Sequence, residues 1–145
     1  MTAFAGSRTA ASVAVMGESL QQLLRTLTPR RNPGVYAFAS APPGQVAGSV
    51  LGAFHETEGT TWILEASQAE TAGLDIHFRA AWLTLDVNSG LADVGLTAAV
   101  AAALADAGIA CNVVAALHHD HLFVPIEAVD AALAVLEGLQ RSASR

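Results

Sequence analysis

Cysteine is almost missing: the 145-residue chain has one, Cys111. No intrachain disulfide can form, and the chain suits a reducing compartment. Charge is scarce as well, at 14% of residues. The basic residues form no patch. Arg25, Arg30 and Arg31 lie near one turn, and Arg141 and Arg145 lie at the C-terminus. A surface that tracks phosphates needs more than this, so nucleic acid is not an expected partner. Met1 to Gly17 lacks the continuous apolar run of a signal peptide, because Thr2, Ser7, Thr9 and Ser12 interrupt it. Residues 1–17 read as a flexible leader. Ala98 to Leu117 is weakly charged, yet Asp106, Gly108 and Asn112 would strand polar groups in lipid. No membrane contact is expected, and the implied location is cytoplasmic.

What is present is apolar. Hydrophobic residues make up 52% of the chain, the net charge is −6, and mean hydropathy is +0.43. Disorder is excluded on that composition. The length allows one ordinary domain, or two very small ones that share a core. One small core cannot hide all the apolar surface, so a homodimer is expected, through a sheet edge or the alanine-rich helices.

Periodicity supplies the elements. Leu20, Leu23, Leu24 and Leu27 make one stripe on a helix over Glu18–Leu27, stopped by Pro29 and Asn32-Pro33-Gly34. Strands are predicted at Val35–Ala39, Val46–Phe54 and Thr60–Leu64, and Ser67…Glu70 has capping-box spacing for a short helix ending near Gly73. His77–Val87 reads as a strand. Asn88 or Ser89 should then cap a helix with Val94, Ala98, Ala101, Leu104 and Ala105 on its core face, and Gly108 should close it. Ile109–Leu117 and Asp120–Val124 read as a hairpin, and Pro125 opens a last helix facing inward through Val129, Leu133, Leu136 and Leu139.

The run Leu83-Thr84-Leu85-Asp86-Val87-Asn88-Ser89, then Val94-Gly95-Leu96-Thr97, then Leu104-Ala105-Asp106-Ala107-Gly108-Ile109 resembles the ACT-domain pattern. Cys111-Asn112-Val113-Val114 with His119-Asp120-His121-Leu122-Phe123-Val124-Pro125 resembles small bacterial proteins with two tandem ACT-like units. Glu56-x-Glu58-Gly59-Thr60-Thr61 and Pro33-Gly34-Val35-Tyr36 match their first half, so the resemblance spans roughly Leu20 to Leu136. It implies an α+β fold of ferredoxin-like ACT architecture: two tandem β-α-β units sharing antiparallel sheets, with helices on one face. The units would be residues 18–76 and 77–140, with 141–145 a tail. It also implies a non-catalytic regulatory or sensor protein that binds a small amino acid-like effector at an ACT–ACT interface. The pairing is similar to that in eukaryotic cytosolic arginine sensors, where an aspartate matching Asp120 helps to hold the cationic side chain.

Physical chemistry points to the same place. A helix N-terminus offers unpaired N–H groups and a positive dipole end to an α-carboxylate. The expected ligand-binding residues are Asn88, Ser89, Gly95, Leu96, Asn112 and Asp120, with Asp120 a solvated hairpin carboxylate for an ammonium or guanidinium group. The plain alternative is that Ser89 only caps and Gly95 only packs.

Other constellations carry less. In a strand His119 and His121 share one face while His118 and Asp120 take the other, so two histidines could chelate, but an adjacent third ligand is lacking. Gly90 to Thr97 mimics a phosphate loop with Leu96 where lysine must stand, which rejects ATP hydrolysis. Cys111 reads as core filler with a high pKa, and Glu56 with Glu58 as a solvated turn. No catalytic residue, metal or cofactor is expected. The alternatives to a sensor are a structural interaction module without ligand, or a metal-dependent hydrolase using the His118–His121 cluster.

Overall fold

A computed structural model describes residues 20–42, 44–87 and 89–145. The predicted leader and Asn88 lie outside the described residues. The chain runs through helix α1 (20–26), strands β1 (Thr28–Arg31), β2 (Tyr36–Ala41), β3 (Gly52–Glu56) and β4 (Gly59–Glu65), then helix α2 (Ala66–Thr71) and strand β5 (Asp75–Asp86). Helix α3 (Leu96–Asp106), strands β6 (Asn112–Ala115) and β7 (Asp120–Pro125), a 3-10 turn (Ile126–Ala128) and helix α4 (Val129–Ala143) complete it.

One seven-stranded antiparallel sheet joins everything, in the order β3-β4-β2-β5-β7-β6. β1 and β2 lie end to end along one edge of β5. Thr28–Arg31 pair with Asp86–Leu83, and Tyr36–Ser40 pair with Ala80–Asp75. β7 holds the other edge of β5 from Ala80 to Leu85. β5 is therefore the spine of the molecule, and the expected boundary at residue 76 falls inside it. The architecture is α+β and ferredoxin-like, as the sequence implied. β1 went unforeseen, because Thr28-Pro29-Arg30-Arg31 shows no apolar alternation.

Alternation along β5 decides the two faces of the sheet. Ala81, Leu83, Leu85 and Val87 meet Leu96, Val100 and Leu104 of α3, Val129, Ala132 and Leu136 of α4, and Leu122 and Val124 of β7. Leu20, Leu23 and Leu24 of α1, partly buried, pack against the same core, so the predicted leucine stripe faces inward. Ala37, Ala39 and Ala41 of β2 make a second core with Leu64, Ala66, Ala69 and Leu74 under α2. The opposite face carries Ile63, Ala80 and Phe123, with Phe38, Phe78 and Trp82 packed beside them.

Several boundaries differ from expectation. α3 begins at Leu96, so its buried face is Leu96, Val100 and Leu104, while Val94 is exposed. Gly108 (φ 71°) ends α3 as predicted: its N–H donates to the Ala105 carbonyl and the Ile109 N–H to the Leu104 carbonyl, a Schellman pair. That exit delays the next strand, so β6 is shorter than predicted and Cys111 precedes it. The predicted capping box does not cap: Glu65 is the N-cap of α2, with no side-chain bond, and Ser67 lies within the helix. The predicted strand Val46–Phe54 begins only at Gly52.

Candidate functional site

The end of β5 where Asp86 lies gathers most of the predicted site. β6 runs parallel to β5, so α3 returns along the sheet with its N-terminus at the Asp86 end. Gly95 is the N-cap in the left-handed region (φ 110°), and no side chain caps the helix. Neither Asn88 nor Ser89 is the cap residue, a correction to the expectation: residues 89–95 form a loop first, in which Gly90 donates its N–H to Asp93 Oδ2 at 2.6 Å. A Cβ on Gly95 would stand 3.0 Å from Leu20 Cδ2, so glycine there serves both backbone and close packing. Ser89 is half-buried, and Leu96 is buried in the core that α3 and α4 form on β5.

Asp120 begins β7 opposite Leu85 and Ala115, on the helix-bearing face at this same end. The sequence suggested a solvated carboxylate. The structure leaves the residue 7% exposed, between Leu85 of β5 and Ala115 of β6. Among the described residues it makes no hydrogen bond or ion pair. Burial pushes its pKa up, opposed by the nearby His121. A partly desolvated carboxylate without a partner carries a cost, and a cation would relieve it.

Asn112 is not brought to this cluster. It pairs with Phe123 while Asp120 pairs with Ala115, so the two sit at opposite ends of the β6–β7 hairpin. Three residues of strand separate their levels by about 10 Å. The faces differ too: Asn112 shares the face of Phe123, which lies opposite the helices. Strand register, which the sequence did not specify, separates them.

A second polar cluster was not foreseen. On the helix-free face, Asn32 Nδ2 donates to Thr84 Oγ1 at 2.8 Å, and Arg30 Nη1 donates to Asn32 Oδ1 at 2.9 Å. Arg30 Nε also pairs with Asp86 at 2.9 Å and holds that carboxyl below its ordinary value. The Trp82 indole N–H donates to His121 Nδ1 at 3.0 Å, with Thr84 Oγ1 3.1 Å from the same nitrogen. An indole N–H can only donate, so His121 Nδ1 is an acceptor and the neutral ring carries its proton on Nε2. Burial lowers the pKa of His121, and the charges of His119 and Arg30 add to this against Asp120. The alternation of Trp82, Thr84 and Asp86 along β5 was the signal: three polar or amphipathic side chains on one face of a buried strand need partners.

His119 and His121 lie on the helix-free side, as strand alternation implies, with His119 Nδ1 4.0 Å from Asp86 Oδ1 and His121 bonded to Trp82. Among the described residues no group of three metal-ligating side chains converges. Cys111 packs against the core under α3 and α4, and burial raises its pKa, which disfavours the reactive thiolate. No helix among the described residues is long and apolar enough to cross a membrane.

Comparison with known proteins places this geometry. Two ACT domain models match, over residues 17–81 and 78–138, and they overlap inside β5. A Vibrio cholerae protein of unknown function, described as a possible transport protein, is 37% identical with a TM-score of 0.77; the alignment covers 85% of this chain and 97% of that one. An Agrobacterium tumefaciens protein shares the fold at 15% identity and TM-score 0.63, over 79% of this chain and 89% of its own. The ligand-free regulatory subunit of aspartate kinase from Thermus thermophilus does so at 16% identity and TM-score 0.58, over 78% and 98%. No curated protein sequence matches the chain.

Proposed function

Since the chain belongs to the ACT-domain family, whose units are regulatory and typically non-catalytic, we propose that it is a sensor for a small amino acid-like ligand. The site we assign is the end of the second unit: Ser89, Gly95 and Leu96 around the uncapped start of α3, with Asn88 preceding them and Asp120 beside them. One observation carries this reading. Asp120 is buried and without a partner among the described residues, at the end of the sheet where a helix N-terminus is also uncapped. The two features are complementary to a zwitterion: free N–H groups suit a carboxylate, and the Asp120 carboxylate suits an ammonium or guanidinium group. Asn112 has no part in this site.

Leu91 and Val94 in the loop before α3, and Leu117 shortly before Asp120, are exposed. We assign that apolar rim to a second copy of the chain, which would complete the pocket as an ACT–ACT interface in a homodimer. A thermal-shift screen against the twenty amino acids tests the reading. A ligand at 100 times its Kd should stabilise the fold by about 2.7 kcal/mol. Asp120→Asn should weaken a cationic amino acid by about 1.5–3 kcal/mol. If no amino acid shifts the transition, or if Asp120→Asn leaves the affinity of one that does unchanged, the assignment is wrong. A monomer in sedimentation at micromolar concentration, with and without ligand, would remove the interface.

A further inference from the structure

A cavity lies away from that end, against the helix-free face and the segment that links β2 to β3. It measures about 570 Å³ and is lined by Tyr36, Trp82, Glu65, Gln68 and the backbone stretch Ala47–Leu51. That size falls within the range of small-molecule sites. Two aromatic rings make its wall. Tyr36 and Trp82 meet edge to face, with centroids 5.2 Å apart and planes at 82°. Each ring is fixed from behind: Tyr36 Oη donates to the Pro33 carbonyl at 2.9 Å, and Trp82 Nε1 donates to His121. The polar ends of both rings are thus occupied; Tyr36 is 6% exposed and Trp82 half-buried, so the aromatic surface a ligand meets is mainly that of Trp82. The segment on the far side is tied down by Gln68 Nε2, which donates to the Ala47 carbonyl at 2.6 Å, and by the Leu51 N–H, which donates to the Ile63 carbonyl at 2.8 Å.

The charge of the cavity has one sign. Glu65, aligned with Tyr36 across the β2–β4 ladder, makes no hydrogen bond or ion pair among the described residues. Its charge is felt at Tyr36, whose pKa is raised by burial and by Glu65. All seven basic residues of the chain are arginines, and none lines the cavity. Arg79 shares a neighbouring cleft with Glu65, but it pairs with Glu70 instead. Preset aromatic faces, a free carboxylate and no competing cation are the parts of a cation-binding box.

We propose that this cavity binds a small organic cation, an amine or quaternary ammonium compound, between Tyr36, Trp82 and Glu65. The site is separate from the one at the start of α3, and its ligand needs no carboxylate.

The test follows the Trp82 indole resonance by NMR while the full chain is titrated with putrescine, tetramethylammonium and, as the neutral control, 1-butanol. The cations should give saturable shifts below about 10 mM, and butanol none. Glu65→Gln, a surface change that spares the fold, should weaken the cations about tenfold. Asp120→Asn should leave them unaltered, which separates this site from the amino acid site. The absence of saturation by either cation overturns the proposal. So does equal binding to the Glu65→Gln variant, or equal response to butanol.

Discussion

At its Asp75 end, β5 borders a core of alanines under one short helix; at its Asp86 end it borders leucines and valines under three helices. The two halves share a sheet but bury it by different means. In the second unit, α3 crosses between β5 and β6 and covers the sheet with Leu96, Val100 and Leu104. In the first, residues 42–51 connect β2 to β3 with no helix described there, and alanines on β2 let α2 lie close. Side-chain volume decides how far a helix stands from a sheet. The difference teaches that tandem units of one family can split the work: one supplies most of the hydrophobic burial, the other a more open surface beside a cavity of about 570 Å³.

Equal truncations in the two cores put this contrast at most risk. Leu104 and Leu64 are both fully buried. Leu104→Ala should cost about 3–5 kcal/mol in urea unfolding, because three helices hold the cavity open. Leu64→Ala should cost about 2–3 kcal/mol, because the open flank relaxes into the space. Equal costs would show that the cores are equivalent. Overpacking probes the reverse: Ala39→Leu should destabilise by about 1–3 kcal/mol by lifting α2 from the sheet. A neutral result there would mean that the alanine core has slack.

Gly95→Ala bears on the second unit alone. A side chain at φ 110° is strained and would press on Leu20, so we expect a loss of about 1–2 kcal/mol in thermal or urea unfolding. Ala at Gly52 in the first unit meets open space and has ordinary backbone angles, so it should be near neutral.

The smallest effects are those of pH. The folded pKa of Asp120 is raised by burial, so its contribution is fully present below the unfolded value and is lost as pH rises through the folded one. Asp120→Asn should therefore gain stability relative to the parent as pH rises above about 4, in the absence of ligand. His121 behaves oppositely. Its folded pKa is lowered, so its contribution is present above about pH 6.5 and fades as pH falls through the folded value. An imidazole titration by NMR should give a midpoint for His121 below about 6.5, and a higher value would dissolve the Trp82–His121 bond as described.

Much of the fold was legible because its signals are local. The leucine stripe of α1, the period-two run that became β5, and Gly108 after α3 each encode their role within a few residues. β1 was not legible, since Thr28–Arg31 is a strand only because β5 offers an unpaired edge. The start of α3 was misjudged for a related reason: Asn88 and Ser89 are good caps in isolation, but packing against Leu20 places the N-cap at Gly95.

The sequence by itself determined the family, the alternation that gives β5 two unlike faces, and the small set of polar residues available for binding. Only the tertiary structure decided which of them meet. Asp120 and Asn112 lie eight positions apart in one hairpin, and the register of β6 on β7 sends them to opposite ends and opposite faces. Tyr36, Glu65 and Trp82 are scattered along the chain, and the pairing of β2 with both β4 and β5 draws them around one cavity. Periodicity is written along the backbone. Register and the distance between layers are settled by which side chains can pack against which, and that is a property of the folded whole.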